Sequence, residues 1–287
     1  MAARGADSIP AIPEADASGD IATLYEDLRV SLGVPFVNLI WRHLATIPGG
    51  LAWTWTLVKP LYLSGELDRL SAGTSALVAL PSLEPLPDFV WDSAAIDRDA
   101  RAVIIALIES YNRANGVNFL ALLTAVSVLR DGLPANAGNK PALPRADQHR
   151  ASTPALPPLP GLSELPPHLL ALVRELDQFG RLGPSEAIAS LYRHLAHWPA
   201  FLSIAYTALE SLHRSGELAK AQEGVIAFGR RQSAELASLV KADLPALSPE
   251  SKSAVLRALD EFTRLMIGRM IVMGKAMRSL LAANARA

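Results

Sequence analysis

A four-residue phrase returns in this chain at a fixed distance. Arg42-His43-Leu44-Ala45 recurs 151 residues on as Arg193-His194-Leu195-Ala196, and Ser64-Gly65-Glu66-Leu67 returns at the same offset as Ser215-Gly216-Glu217-Leu218. Ile47-Pro48 against Trp198-Pro199, and Glu109-Ser110-Tyr111 against Asp260-Glu261-Phe262, keep that register towards the ends of the halves. The period is far longer than the roughly 20 to 50 residues of solenoid units. It constrains the chain to two fused copies of one domain-sized fold, with a site expected between them.

Apolar residues recur at helical spacing almost throughout. Ile21, Leu24, Leu28 and Leu32 form one helical face behind the cap candidates Ser18 and Asp20. A second helix is expected from Pro35 to about Pro48-Gly49-Gly50, because proline suits a first helical position. A third covers residues 51–63, kinked at Pro60 and broken at Ser64-Gly65. Residues 101–129 read as one long helix or two stacked ones, with 253–283 as the counterpart. No segment alternates with the period of a half-buried strand. The fold class is therefore all-α: two fused helical repeats in a pseudo-two-fold arrangement. Residues 133–167 hold nine of the 21 prolines and read as a long, extended, non-helical linker. The expected domains are 1–132, the Pro-rich linker 133–167, and 168–287.

Composition excludes several classes. The net charge of −1 leaves no basic excess to neutralise phosphates, so no nucleic-acid partner is expected. The absence of cysteine removes disulfides and thiolate chemistry and fits a reducing cytoplasm. The first twenty residues carry Pro10, Pro13 and acids where a signal peptide needs an apolar core, and read as a short ordered arm. The apolar run 119–129 is too short to span a bilayer, so no membrane partner is expected. There is no Walker loop, dinucleotide fingerprint or Gly-x-Ser-x-Gly, and Ser238-x-x-Lys241 lacks its companion motifs. No cofactor is expected. His194 and His197 share a helical face without a third ligand, so no metal is expected either. The apolar stretch 103–108 offers a face for a homodimer.

Tyr111, Asn115 and Asn118 fall on one helical face, and asparagine inside a helix is locally unfavourable. They read as a solvated stripe with a break at Gly116, or as a polar patch lining a pocket. The 151 offset pairs them with Phe262, Met266 and Arg269. Arg269 lies in an apolar stretch with no carboxylate nearby in sequence, and reads as an anion anchor or as a side chain reaching solvent. Glu186 follows Gly183-Pro184-Ser185 at an expected helix start, where it serves the helix dipole or acts as a general base. Trp41, Trp53, Trp55 and Tyr62 read as packing, with Phe36 and Trp41 expected to reach a cavity.

The segments Leu24-Tyr25-Glu26-Asp27-Leu28-Arg29, Val34-Pro35-Phe36-Val37 and Leu44-Ala45-Thr46-Ile47-Pro48-Gly49 resemble the group I 2-haloacid dehalogenases. The resemblance continues through Tyr111-Asn112 to Asn115 and into Gly183-Pro184 and Trp198-Pro199. It implies an all-α fold of two repeats with the active site between them. It also implies an Asp and an Asn that activate a water to displace halide from a 2-haloalkanoic acid, without a covalent ester. The ligand implied is a small carboxylic acid. Asn115 takes the position of the family's Asn. Ungapped counting from Trp198-Pro199 puts Leu191, preceded by Ser190, at the Asp position, whereas a gap at Gly183-Pro184 puts Ser185-Glu186 there. The expected catalytic pair is Asn115 and Glu186, and the expected substrate wall is Phe36, Asn38, Leu39, Asn118, Ser190, Leu191, Phe262, Met266 and Arg269. Asn38, Asn118, Phe262 and Arg269 depart from the family's side chains and make the pocket more polar. A protein of the same fold that binds a small acid without converting it is the other expectation. A peroxidase-type helical protein is a third, and the lack of cysteine argues against it.

Overall fold

The computed structural model describes residues 8–76, 78, 80–81, 83–138 and 155–281, and the middle of the expected linker, 139–154, lies outside them. Among the described residues twelve α-helices run in chain order: α1 Gly19–Leu32, α2 Leu39–Leu44, α3 Gly50–Leu63, α4 Glu66–Ala76, α5 Asp88–Ser93, α6 Arg98–Asp131, α7 Pro167–Leu176, α8 Ser190–Leu195, α9 Pro199–Arg214, α10 Glu217–Leu236, α11 Pro249–Glu261 and α12 Gly268–Leu280. No strand joins them among the described residues. Helices α2 and α8 begin 151 residues apart, as do α4 and α10, and α6 and α11.

The 101–129 pattern is one helix. Asp97 caps α6 by accepting from the Ala100 N–H at 2.8 Å, and the helix ends at Gly132, whose φ of +86° is open to glycine. Every residue of 114–126 is buried. A helix apolar on all sides belongs in the centre of a fold, and α3, α4, α10, α11 and α12 all pack on α6. The apolar run too short for a membrane is this central helix. No helix among the described residues is long and apolar enough to cross one. Gly116 does not break α6: it stands where a Cβ would strike Ser71 of α4, so the glycine lets the two helices close up.

Three expected elements differ. The second helix does not begin at Pro35, because 35–38 are held in irregular backbone by tertiary bonds. The Val37 N–H donates to Glu14 Oε1 at 2.8 Å and the Val37 carbonyl accepts from Arg42 Nε at 3.1 Å, which delays α2 to Leu39. Similarly, Ser185 caps no helix. Residues 181–189 are non-helical, and α8 starts at Ser190, because the Ala189 N–H is drawn to Asp177 Oδ1 at 3.1 Å and the Ile188 N–H to Ser8 Oγ at 2.8 Å. The counterpart of α6 is divided into α11 and α12 by a π-helical stretch, Phe262–Ile267. Pro60 lies in the last turn of α3, where its missing N–H costs one hydrogen bond near a helix end.

The described part of the linker holds a turn at 135–138, runs without helix through 155–161, and makes a 3-10 turn at Leu162–Glu164, closed by the Gly161 N–H donating to Glu164 at 2.6 Å. It is also fastened. His194 Nε2 meets the Pro157 carbonyl at 2.5 Å, His197 Nε2 the Pro158 carbonyl at 2.8 Å, and Arg193 Nη2 donates to the Pro160 carbonyl at 2.7 Å. Helix α8 and His197 just beyond it thus grip three carbonyls of a proline-rich strap.

A close helix crossing gives a test. At Gly229 of α10 a Cβ would collide with the Phe119 ring and come 2.6 Å from Leu123 Cδ1, both on α6. Gly229→Ala should therefore destabilise the protein by about 1–3 kcal/mol in urea unfolding, although alanine favours an isolated helix by about 1 kcal/mol. An unchanged or raised midpoint would show that α10 can back away from α6.

Candidate functional site

The first turns of α2 and α8 meet the middle of α6 around a small cavity of about 30 Å³. Asn38, Leu39 and Ile40 come from the start of α2, and Ala189, Ser190 and Leu191 from the start of α8. Tyr111, Asn115 and Asn118 come from α6, and Phe262, Met266, Ile267 and Met270 from the π stretch and α12. Room of this size holds a water or a small polar head group. The first N–H groups of α2 and α8 have no intrahelical acceptor and add backbone donors beside it.

The polar side chains are ordered by a relay from the core. Asn118 is 1% exposed. Its Oδ1 accepts from Trp41 Nε1 at 3.1 Å and from the Tyr62 hydroxyl at 2.7 Å, while its Nδ2 donates to Asn38 Oδ1 at 3.1 Å. The indole N–H can only donate, which fixes the sense of the whole chain of bonds. Asn38 is therefore held by its carbonyl, and its NH2 is left for the cavity. The buried Ser190 hydroxyl has no hydrogen-bond partner among the described residues, and Asn115 lines the same cavity. A buried polar group left unpaired costs about 1–3 kcal/mol, so this hydroxyl asks for a ligand or a water.

Arg269 does not reach the cavity or solvent. It is 1% exposed and its Nη2 pairs with Asp177 Oδ1 at 2.9 Å, while Nη1 donates to the Asp177 carbonyl oxygen. Asp177, itself 0% exposed, also binds Arg181 and the Ala189 N–H. The guanidinium is neutralised here by a carboxylate ninety-two positions earlier, which local sequence could not reveal. Glu186 is exposed and outside the cavity wall. Phe36 stands in a neighbouring cavity, stacked on Tyr111 with ring centroids 4.4 Å apart. Eight expected residues, Asn38, Leu39, Asn115, Asn118, Ser190, Leu191, Phe262 and Met266, are brought to one place. Trp41 reaches the site only through Asn118. Tyr111 was marked by its spacing to Asn115 but not counted with the wall.

Tyr111 is set by histidine. The His194 Nε2 faces a carbonyl and so must carry the proton, which leaves Nδ1 to accept from the Tyr111 hydroxyl at 3.3 Å. Burial pushes the His194 imidazole below its ordinary value, against a smaller opposing pull from the Pro157 carbonyl. Among the described residues no trio of His, Asp or Glu could hold a metal ion.

No protein-family model matches the chain. A 2-haloacid dehalogenase described as configuration-inverting, from Alcaligenes xylosoxydans xylosoxydans, is 28% identical over 214 residues, which are 68% of this chain and 66% of that protein. A D-2-haloacid dehalogenase mutant in complex with D-2-CPA superposes with a TM-score of 0.75 at 16% identity, covering 97% of this chain and 98% of the other. By sequence and fold the chain is dehalogenase-like. A D-2-haloacid dehalogenase with L-LA matches with a TM-score of 0.74 at 17% identity, over 97% of this chain and 99% of that one. The chain aligns with about two thirds of its curated dehalogenase relative and with nearly the whole of the structural ones.

Two outcomes follow from the charges. Asp177→Asn would leave Arg269 buried without its counter-charge, so unfolding free energy should fall by about 3–5 kcal/mol; a loss under about 1 kcal/mol would mean that the pair is dispensable. For His194, the unfolded chain takes up a proton near its ordinary value of about 6.5 while the folded site resists it. Stability should therefore drop as pH falls through that value. The melting temperature at pH 5.5 should lie below that at pH 7.5, and His194→Gln should remove part of the difference.

Proposed function

We infer that this dehalogenase-like chain binds a small carboxylic acid, seating its polar head among Asn38, Asn115 and Ser190 without displacing halide. The observation that carries the reading is Leu191 in the cavity wall. No Asp, Glu, His or Lys lines the cavity among the described residues. Displacing halide with water needs a base to take the water's proton, and amides and a serine hydroxyl orient a ligand but do not accept a proton near neutral pH. The Tyr111 hydroxyl is already committed to His194. The binding asks for no cofactor. The 151-residue register supports taking 1–132 and 168–287 as two copies that each give one short helix to the wall.

A second reading is hydrolysis of a 2-haloalkanoic acid, favoured by the relation to the configuration-inverting enzyme. Its base would have to be Glu186, carried inward from an exposed, non-helical segment.

Thermal shift and halide release measured together on 2-chloropropionate and lactate separate the two. Binding predicts a raised melting temperature, equivalent to about 2.7 kcal/mol at a hundredfold excess over Kd, with halide release no faster than in buffer. Leu191→Asp, which places a carboxylate in the wall, should gain halide release. Release by the unaltered protein that disappears in Glu186→Gln would establish hydrolysis instead. No stabilisation by any 2-substituted acid would end the binding reading.

A further inference from the structure

A second, larger cavity of about 260 Å³ lies against the first. Asn38, Tyr111 and Ser190 line both, so the polar groups of the inner cavity stand at the boundary between the two. The sizes decide what can sit where. An apolar cavity of roughly 150 Å³ holds benzene, whereas a single water needs about 10–15 Å³. The inner cavity therefore admits a head group and nothing as large as a whole six-heavy-atom haloalkanoate. The outer one has room for a six-membered ring and its link to the head.

The outer walls are flat and largely apolar. One is the Phe36 ring, stacked on Tyr111 with an interplanar angle of 25°. Another is the strap 156–159, whose Pro157 and Pro158 carry no N–H and have their carbonyls already taken by His194 and His197. The strap thus turns apolar surface to the cavity, and α8 holds it in place.

The charged groups here are already paired. Glu14 and Arg42 both line the outer cavity; the carboxylate is held by Arg29 at 2.6 Å and by the Val37 N–H at 2.8 Å, and Arg42 Nε donates to the Val37 carbonyl at 3.1 Å. A second carboxylate on the far end of a ligand would give up its water to walls whose charged groups already have partners.

We propose that the two cavities form one site for a 2-substituted carboxylic acid bearing an aromatic body, with the head in the inner cavity and the ring between Phe36 and the strap. This rests on the inner cavity being an acid site, and it names the class of acid. Short haloalkanoates and lactate then occupy only part of the site, and a dicarboxylate gains nothing from its second charge.

Isothermal titration of the full chain with lactate, 3-phenyllactate and malate tests it. 3-Phenyllactate should bind at least tenfold more tightly than lactate, and malate no more tightly than lactate. Leu159→Trp, which fills the outer cavity, should bring the phenyllactate-to-lactate ratio towards one. Leu156→Phe serves the same purpose with a smaller change if the tryptophan variant does not fold. Equal affinity for lactate and phenyllactate, or a ratio unmoved by filling the cavity, would overturn the assignment while leaving the inner acid site standing. Failure of all three acids to bind would overturn both.

Discussion

The buried carboxylate of Asp177 is the joint on which the site is assembled. It follows α7, accepts from Arg181 and from Arg269 on α12, and takes the backbone N–H of Ala189 just before α8. One side chain thereby fixes where α8 begins and which residues, Ala189 to Leu191, form a wall. It also removes a cation from the ligand's reach. A lone guanidinium in that position would favour any anion nearby. Cancelled by Asp177, it leaves the neutral groups Asn38, Asn115 and Ser190 on the cavity wall. A pair this deeply buried is weak evidence for stability, and its effect here is positional.

The all-α fold was legible because helical periodicity is written continuously along α1, α3, α6 and α11. The 151-residue echo located the short helices that carry the wall, and the spacing of Tyr111, Asn115 and Asn118 on α6 marked a polar face that the structure places at a cavity. The misread parts share a cause. Pro35 and Ser185 carry local helix-start signals, yet bonds from Glu14, Asp177 and Ser8 claim the backbone at those points. The pairing of Arg269 and the non-helical setting of Glu186 escaped the sequence for a related reason. The partner of one and the exposure of the other are set by residues far away in the chain, and local sequence contains neither.

The proline-rich connection shows the same tension between local rule and tertiary use. Proline content forecasts an extended chain, and residues 155–161 are extended. Proline content does not say, however, what becomes of the carbonyls that such a chain leaves unbonded. Three of them are taken by Arg193, His194 and His197. The earlier Arg-His phrase makes a related contact: His43 Nδ1 meets the Pro10 carbonyl at 2.7 Å, and Ile12 N–H donates to the Arg42 carbonyl at 3.0 Å. The recurring Arg-His phrase thus ties an irregular segment onto a short helix in both places.

The π-helical turn at Phe262–Ile267 has a consequence for the phase of everything after it. Such a turn amounts to one extra residue wound into an otherwise regular helix, and each residue advances an α-helix by about 100°. Were that residue lost, α12 would continue unbroken but swung round by more than a quarter of a revolution. Arg269 would point away from Asp177 and Met270 away from the ligand. The irregular turn is a rotational offset that lets one helix serve the cavity with Phe262 and Met266 and, a few positions later, still present Arg269 to its counter-charge.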